Sequence, residues 1–173
     1  STTSPVNIIV ETQDGGFQDT ISVSVTPALY SMVEYNITSK NTLTTGGNAP
    51  LSSSAKIVET YTTSKQMTAG NSQTLTLSGF NRVKISQITL SAKSNTSKGA
   101  GKFSYAVDGG TSIDIISSSK FNTAGWYGSW STTYVPIVKN VNIVIDSSIV
   151  FTVEATENSL YVESYVIRWE SYS

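Results

Sequence analysis

The chain has 173 residues, with eleven Lys and Arg against twelve Asp and Glu (net charge −1), and neither His nor Cys. Without His there is no Ser-His-Asp triad, Cys-His dyad or His-based zinc site. Without Cys there is no disulfide framework, thiol nucleophile or iron–sulfur ligand. The basic residues are scattered, so no run is available to neutralise a nucleic-acid backbone or an anionic membrane.

A chain of this length fits a single domain with a sizeable core. Hydrophobic residues make up 38% and charged residues only 13%, about half the usual charged fraction. Ser, Thr and Asn fill the difference. Disorder pairs low hydrophobicity with high net charge, and this chain has low net charge with 10% aromatics. Hydroxyl-rich positions alternating with Val, Ile and Leu are the pattern of antiparallel sheets. No apolar run of about 18 residues is present to span a bilayer, and the chain opens on Ser1, as a processed secreted protein or an excised fragment would.

In chain order, Val6 to Glu11 is a short β-forming run, followed by a turn signal at Asp14-Gly15-Gly16. Strict alternation over Ile21–Val25 predicts a half-buried strand that Pro27 ends. Tyr30 to Thr38 predicts another. Residues 39–54, rich in Gly, Ser and Pro, read as a long loop. Ala55 to Tyr61 and Thr74 to Leu77 alternate again. Val83, Ile85, Ile88 and Leu90 do not share one parity, which predicts a β-bulge or bend between Ile85 and Ile88.

Residues 94–101 read as a loop. Phe103, Tyr105 and Val107 run into Asp108-Gly109-Gly110-Thr111 and out through Ile113 and Ile115, the clearest hairpin signal in the chain. Val141 to Ile145 and Ile149 to Ala155 are two further strands. After a turn at Glu157-Asn158-Ser159, the last strand is expected to place Tyr161, Glu163, Tyr165, Ile167 and Trp169 on one face. Roughly ten strands at this spacing, with no helical period, predict an antiparallel β-sandwich, jelly-roll-like. The expected organisation is one domain over 1–173 with an N-terminal arm, 1–12.

The most unusual stretch is FNTAGWYGSWSTTY, residues 121–134. Trp126, Tyr127, Trp130 and Tyr134 stand there among Gly, Ser, Thr and Asn. Aromatic faces beside small polar groups suit the C–H face of a sugar ring or anchor a protein interface. They also suit a loop that pins itself to the core. In an extended strand Trp126 and Trp130, four apart, face the same way.

Other candidates carry less chemistry. Glu154, Glu157 and Glu163 flank one turn, but acids beside hairpin turns ordinarily serve the turn and solubility, and no catalytic pair is expected. Asp14, Asp19 and Asp108 lack the regular acid spacing of a calcium loop, so neither metal nor cofactor is expected. SKGAGK at 97–102 lacks P-loop spacing and reads as a turn. Asn36-Ile37-Thr38 and Asn95-Thr96-Ser97 are glycosylation triplets.

SQITLSAKSNTSKGAGKFSYAVDGG (86–110), WYGSWSTTYVPI (126–137) and TVEATENSLYVESYVI (152–167) resemble Ser/Thr-rich β domains of large surface and secreted proteins of gut Bacteroidota-type bacteria and their phages. The resemblance covers about the C-terminal half. It implies an extracellular or virion-associated β module and nothing about catalysis. Two roles are consistent with the sequence. One is a non-catalytic recognition or adhesion module, extracellular or surface-exposed, binding a glycan or surface protein through the aromatic stretch. The other is a structural subunit of a virion, fibre or pilus-like filament, a homo-oligomer in which a run such as Val6–Glu11 adds to a neighbour's sheet.

Overall fold

The computed structural model describes the side chains of residues 65–80 and 82–169, and the backbone of the strands outside that span. The described residues form thirteen strands. They are β1 (Val6–Glu11), β2 (Gln18–Val23), β3 (Ser31–Ile37), β4 (Leu43–Gly47), β5 (Ile57–Val58), β6 (Gln66–Thr68), β7 (Ser72–Ser78), β8 (Val83–Ser94), β9 (Ala100–Val107), β10 (Ile113–Lys120), β11 (Ser131–Ile145), β12 (Ser148–Glu157) and β13 (Ser159–Ser171).

The fold is an all-β sandwich of two antiparallel sheets. β6 to β13 form an eight-stranded jelly roll, with the order β11-β8-β13-β6 in one sheet and β10-β9-β12-β7 in the other. Every connection from β6 to β13 crosses between the sheets except the β9–β10 hairpin, which is the double Greek key of this architecture. β3 pairs with β13 over Ser31–Asn36, β4 with β3, and β5 with β7, while β1 and β2 pair with each other. The span expected as the 39–54 loop therefore holds β4, and the span expected as an arm holds β1. The strands expected at Ile21–Val25, Tyr30–Thr38 and Ala55–Tyr61 overlap β2, β3 and β5, and the turn expected at 14–16 lies outside the described residues.

Alternation explains most of the core. In β7 the odd residues Gln73, Leu75 and Leu77 point inward and the even Ser and Thr outward; in β12, Ile149, Phe151, Val153 and Ala155 point inward. The predicted slip in β8 is present. Both Ser86 and Gln87 turn away from the core, and the β13 register jumps from Arg168↔Gln87 to Trp169↔Ile85. One extra residue there lets Val83 and Ile85 rejoin the same core as Ile88 and Leu90.

Three expectations are corrected. β13 does not keep one parity, because its register shifts between Val162 and Ser164. Tyr161 and Glu163 thus face outward while Tyr165, Ile167 and Trp169 are buried. β10 is bulged twice, which sends Ile116 into the core and leaves Ile113 half exposed. The strand expected at Val141 begins ten residues earlier, at Ser131, because Ser131 and Val135–Val138 pair with the far end of the long β8 strand.

The connections collect at two ends. At one end, residues 79–82, 108–112 and 146–147 interlock: Gly79 and Phe80 donate to the Ser147 carbonyl, and Arg82 donates to that of Asp146. At the other end lie residues 69–71, 95–99, 121–130 and Asn158. Phe121 donates to the Gly99 carbonyl, Asn158 Nδ2 to Lys98, and Ser94 Oγ to Ser159.

Candidate functional site

The 121–130 connection between β10 and β11 is turn throughout, not strand. Thr123 starts it by bonding the Lys120 carbonyl with both its amide and its hydroxyl. The Thr123 carbonyl then accepts from Trp126 and Gly128 amides, and Phe121 accepts from Tyr127. Gly128 sits at φ +86°, a left-handed conformation that favours glycine. From outside, Lys139 Nζ donates to the Gly125 carbonyl.

These turns set the fate of each predicted aromatic. Trp126 is 4% exposed and belongs to the core. Its indole N–H donates to the Gly101 carbonyl at 3.2 Å, and its ring lies 5.9 Å from that of buried Phe121. Trp126 is thereby corrected from a ligand contact to the anchor of the loop. Since the segment is turn, the expectation that Trp126 and Trp130 share a face fails: Trp130 is 51% exposed. Tyr127 rests one side on Phe121, centroids 6.1 Å apart, and remains 44% exposed.

Tyr134 is set apart from this loop, on the outer side of β11. Lys93 Nζ lies 4.9 Å from the ring centroids of both Tyr134 and Tyr161, within cation–π range. Beside them Glu163 accepts from Ser91 Oγ at 3.0 Å and pairs with Lys65 at 3.7 Å, and Asn95 Nδ2 donates to the Tyr161 hydroxyl. Burial, with nearby Glu163 and Tyr161, raises the Tyr134 phenol above its usual pKa. The period of the strands gave no sign of this strip, because β8, β11 and β13 meet only through non-local pairing. The single cue was a Lys and two Tyr in one class of outward position.

The carboxylates are dispersed. Glu154 lies on the outer side of β12 and Glu163 on the outer side of β13, opposite faces of the sandwich. Asp108 serves the other end of the barrel-like stack. Its oxygens accept from the amides of Asp146, Ser147 and Ser148 and from the Ser147 hydroxyl, at 2.8–3.0 Å. Burial raises its pKa, but those bonds together lower it by more, so the net shift is downward. Among the described residues no group of three or more Asp or Glu is placed to hold a metal ion. No described helix is long and apolar enough to cross a membrane.

Two exposed aromatic rings on a loop fixed at both flanks, among the exposed Asn122, Thr123 and Ser129, offer stacking faces with hydroxyl and amide groups nearby. No family model, curated protein or solved structure significantly matches the chain.

Proposed function

We propose that the domain is a non-catalytic recognition module, extracellular or surface-exposed, that binds glycan through Tyr127 and Trp130. The observation that carries this is the contrast among its tryptophans. Trp126 and Trp169 are buried, whereas Trp130 is left half exposed on a loop that Trp126 and Phe121 hold in place. Keeping a large apolar ring in water forgoes about 1.5–3 kcal/mol of burial energy, and a pre-ordered ring pair lowers the entropy cost of binding. Sugar C–H faces stack on such rings, while hydroxyl and amide groups of the loop address the sugar hydroxyls. Tyr134, with Lys93 and Tyr161, forms a separate polar-aromatic patch on the outer face of the sheet.

A glycan array probed with the purified domain tests this. Binding that falls at least tenfold in Trp130→Ala and Tyr127→Ala, with melting temperatures unchanged, is the expected result. Binding that survives both substitutions, or an array with no positive glycan, overturns it. A protein ligand would show as cell-surface binding that persists after glycans are enzymatically removed. The other reading, a filament subunit that donates Val6–Glu11, has less support, because that segment pairs with Gln18–Val23 of its own chain.

A further inference from the structure

Among the described strands β10 pairs only with β9, and β11 only with β8, so each ends its sheet. Between these two edges lies a groove of about 250 Å³. Its floor is apolar: Tyr105, Ile115 and Val141 pack against the core there and stay partly uncovered. Its sides are strand edges, which present backbone N–H and C=O groups to whatever enters.

One residue of the groove is out of pattern. Inward and outward positions alternate along the second half of β11, with Ile137, Ile143 and Ile145 buried. Lys139 falls on the inward side of that row, half-buried between positions held by Ile and Val. Its ammonium donates to the Gly125 carbonyl of the aromatic loop. That bond uses one of its three protons, and no described carboxylate pairs with it. Asp114, the acid lining the groove, is already paired with Lys102 at 3.2 Å. The groove thus carries one uncompensated positive charge over an apolar floor. An inward lysine at a sheet edge also deters strand addition, but that role requires neither a groove nor a link to the loop.

Lys139 belongs to both features. It lines the groove, and it holds Gly125 in the turn that carries Tyr127 and Trp130. Loop and groove therefore adjoin through a single side chain. The volume falls below the roughly 300–1,000 Å³ of pockets for drug-sized ligands, which suits one sugar ring better than a longer segment. We propose that the groove is a second subsite for the same glycan and takes a sugar residue bearing a carboxylate, with the Lys139 ammonium recognising the charge. The C–H face of the ring lies on the floor, and the carboxylate accepts from the remaining Lys139 protons. The proposal rests on the glycan reading of Tyr127 and Trp130, and narrows the ligand to acidic glycans.

Calorimetric titration of the whole chain tests it. The probes are oligosaccharides ending in glucuronate, galacturonate or sialate, each beside its carboxyl-reduced, neutral form. At least one acidic probe should bind tenfold or more tightly than its reduced form, and salt should shrink that preference. Lys139→Met keeps the apolar stem, and should abolish the preference while leaving the affinity for the reduced form unchanged. Ile113→Glu places a like charge at the half-exposed lip of the groove, and should weaken the acidic probe alone. If Lys139→Met lowers the melting temperature, Ile113→Glu decides. Equal affinity for acidic and reduced probes, or a preference that survives both variants, overturns the proposal. Equal binding that Trp130→Ala abolishes removes the groove and keeps the loop. Binding indifferent to Trp130→Ala, or no binding at all, removes the loop reading and this one with it.

Discussion

Across the core, the Tyr165 hydroxyl of β13 donates to Oε1 of Gln73 in β7, joining the two sheets through fully buried side chains. Gln73 occupies an inward position of a strand whose other inward residues are Leu, and its Nε2 has no hydrogen-bond partner. A buried amide kept in this way is costly unless its remaining bond is retained. Tyr165→Phe should therefore destabilise by about 1–3 kcal/mol, measured by urea unfolding. Tyr165→Phe with Gln73→Leu should lose clearly less than the sum of the single variants, because the orphaned amide is removed as well. Additive losses would mean that the bond contributes nothing across the sheets.

The two loop tryptophans should separate cleanly. Trp126→Ala removes a buried ring together with its bond to Gly101, and should cost about 3–5 kcal/mol. Trp130→Ala removes a half-exposed ring and should stay within about 0.5 kcal/mol. Thermal unfolding of both variants checks this. Equal losses would place Trp130 in the core and remove the binding loop.

That pair also marks the limit of what was legible in the sequence. Strand alternation, the Asp108-Gly109-Gly110 hairpin and the slip at Ser86 are local patterns, and each is present in the fold. The roles of Trp126 and Trp130 depended on the conformation of five residues between Gly125 and Ser129, and an extended reading put both on one side. The turn signal was there in two glycines, one of them at positive φ, but nothing local said which ring would find Phe121. The Glu163 bulge was equally hidden, since Tyr161, Glu163 and Tyr165 alternate perfectly by parity. The Lys93, Tyr134 and Tyr161 group needed knowledge that β8 lies between β11 and β13.

Gly101 should be a second support of the loop. A Cβ at this position would overlap Leu160 Cδ1 and the Glu154 carbonyl of the neighbouring strand, and the Gly101 carbonyl holds Trp126. Gly101→Ala must push β9 from β12, at a cost of about 1–3 kcal/mol. Intrinsic fluorescence should shift to the red as Trp126 meets water. A variant with native stability and an unshifted spectrum would refute this close approach.

Acid should act through Asp108. Its folded pKa lies below the ordinary value of 3.8, so the unfolded chain binds its proton first as pH falls. The stabilisation is complete above the unfolded value and is lost progressively as pH drops through the folded one. Asp108→Asn keeps a residue tolerant of the positive φ at this turn, but turns an amide toward three backbone donors. It should cost about 1 kcal/mol at neutral pH, at the low end for charge-assisted bonds because the group is exposed and screened. The difference between native and variant stabilities should be constant from pH 7 to about pH 5 and shrink below pH 4. A gap that persists undiminished at low pH would show that the carboxylate charge is not what holds Asp146, Ser147 and Ser148 in their turn.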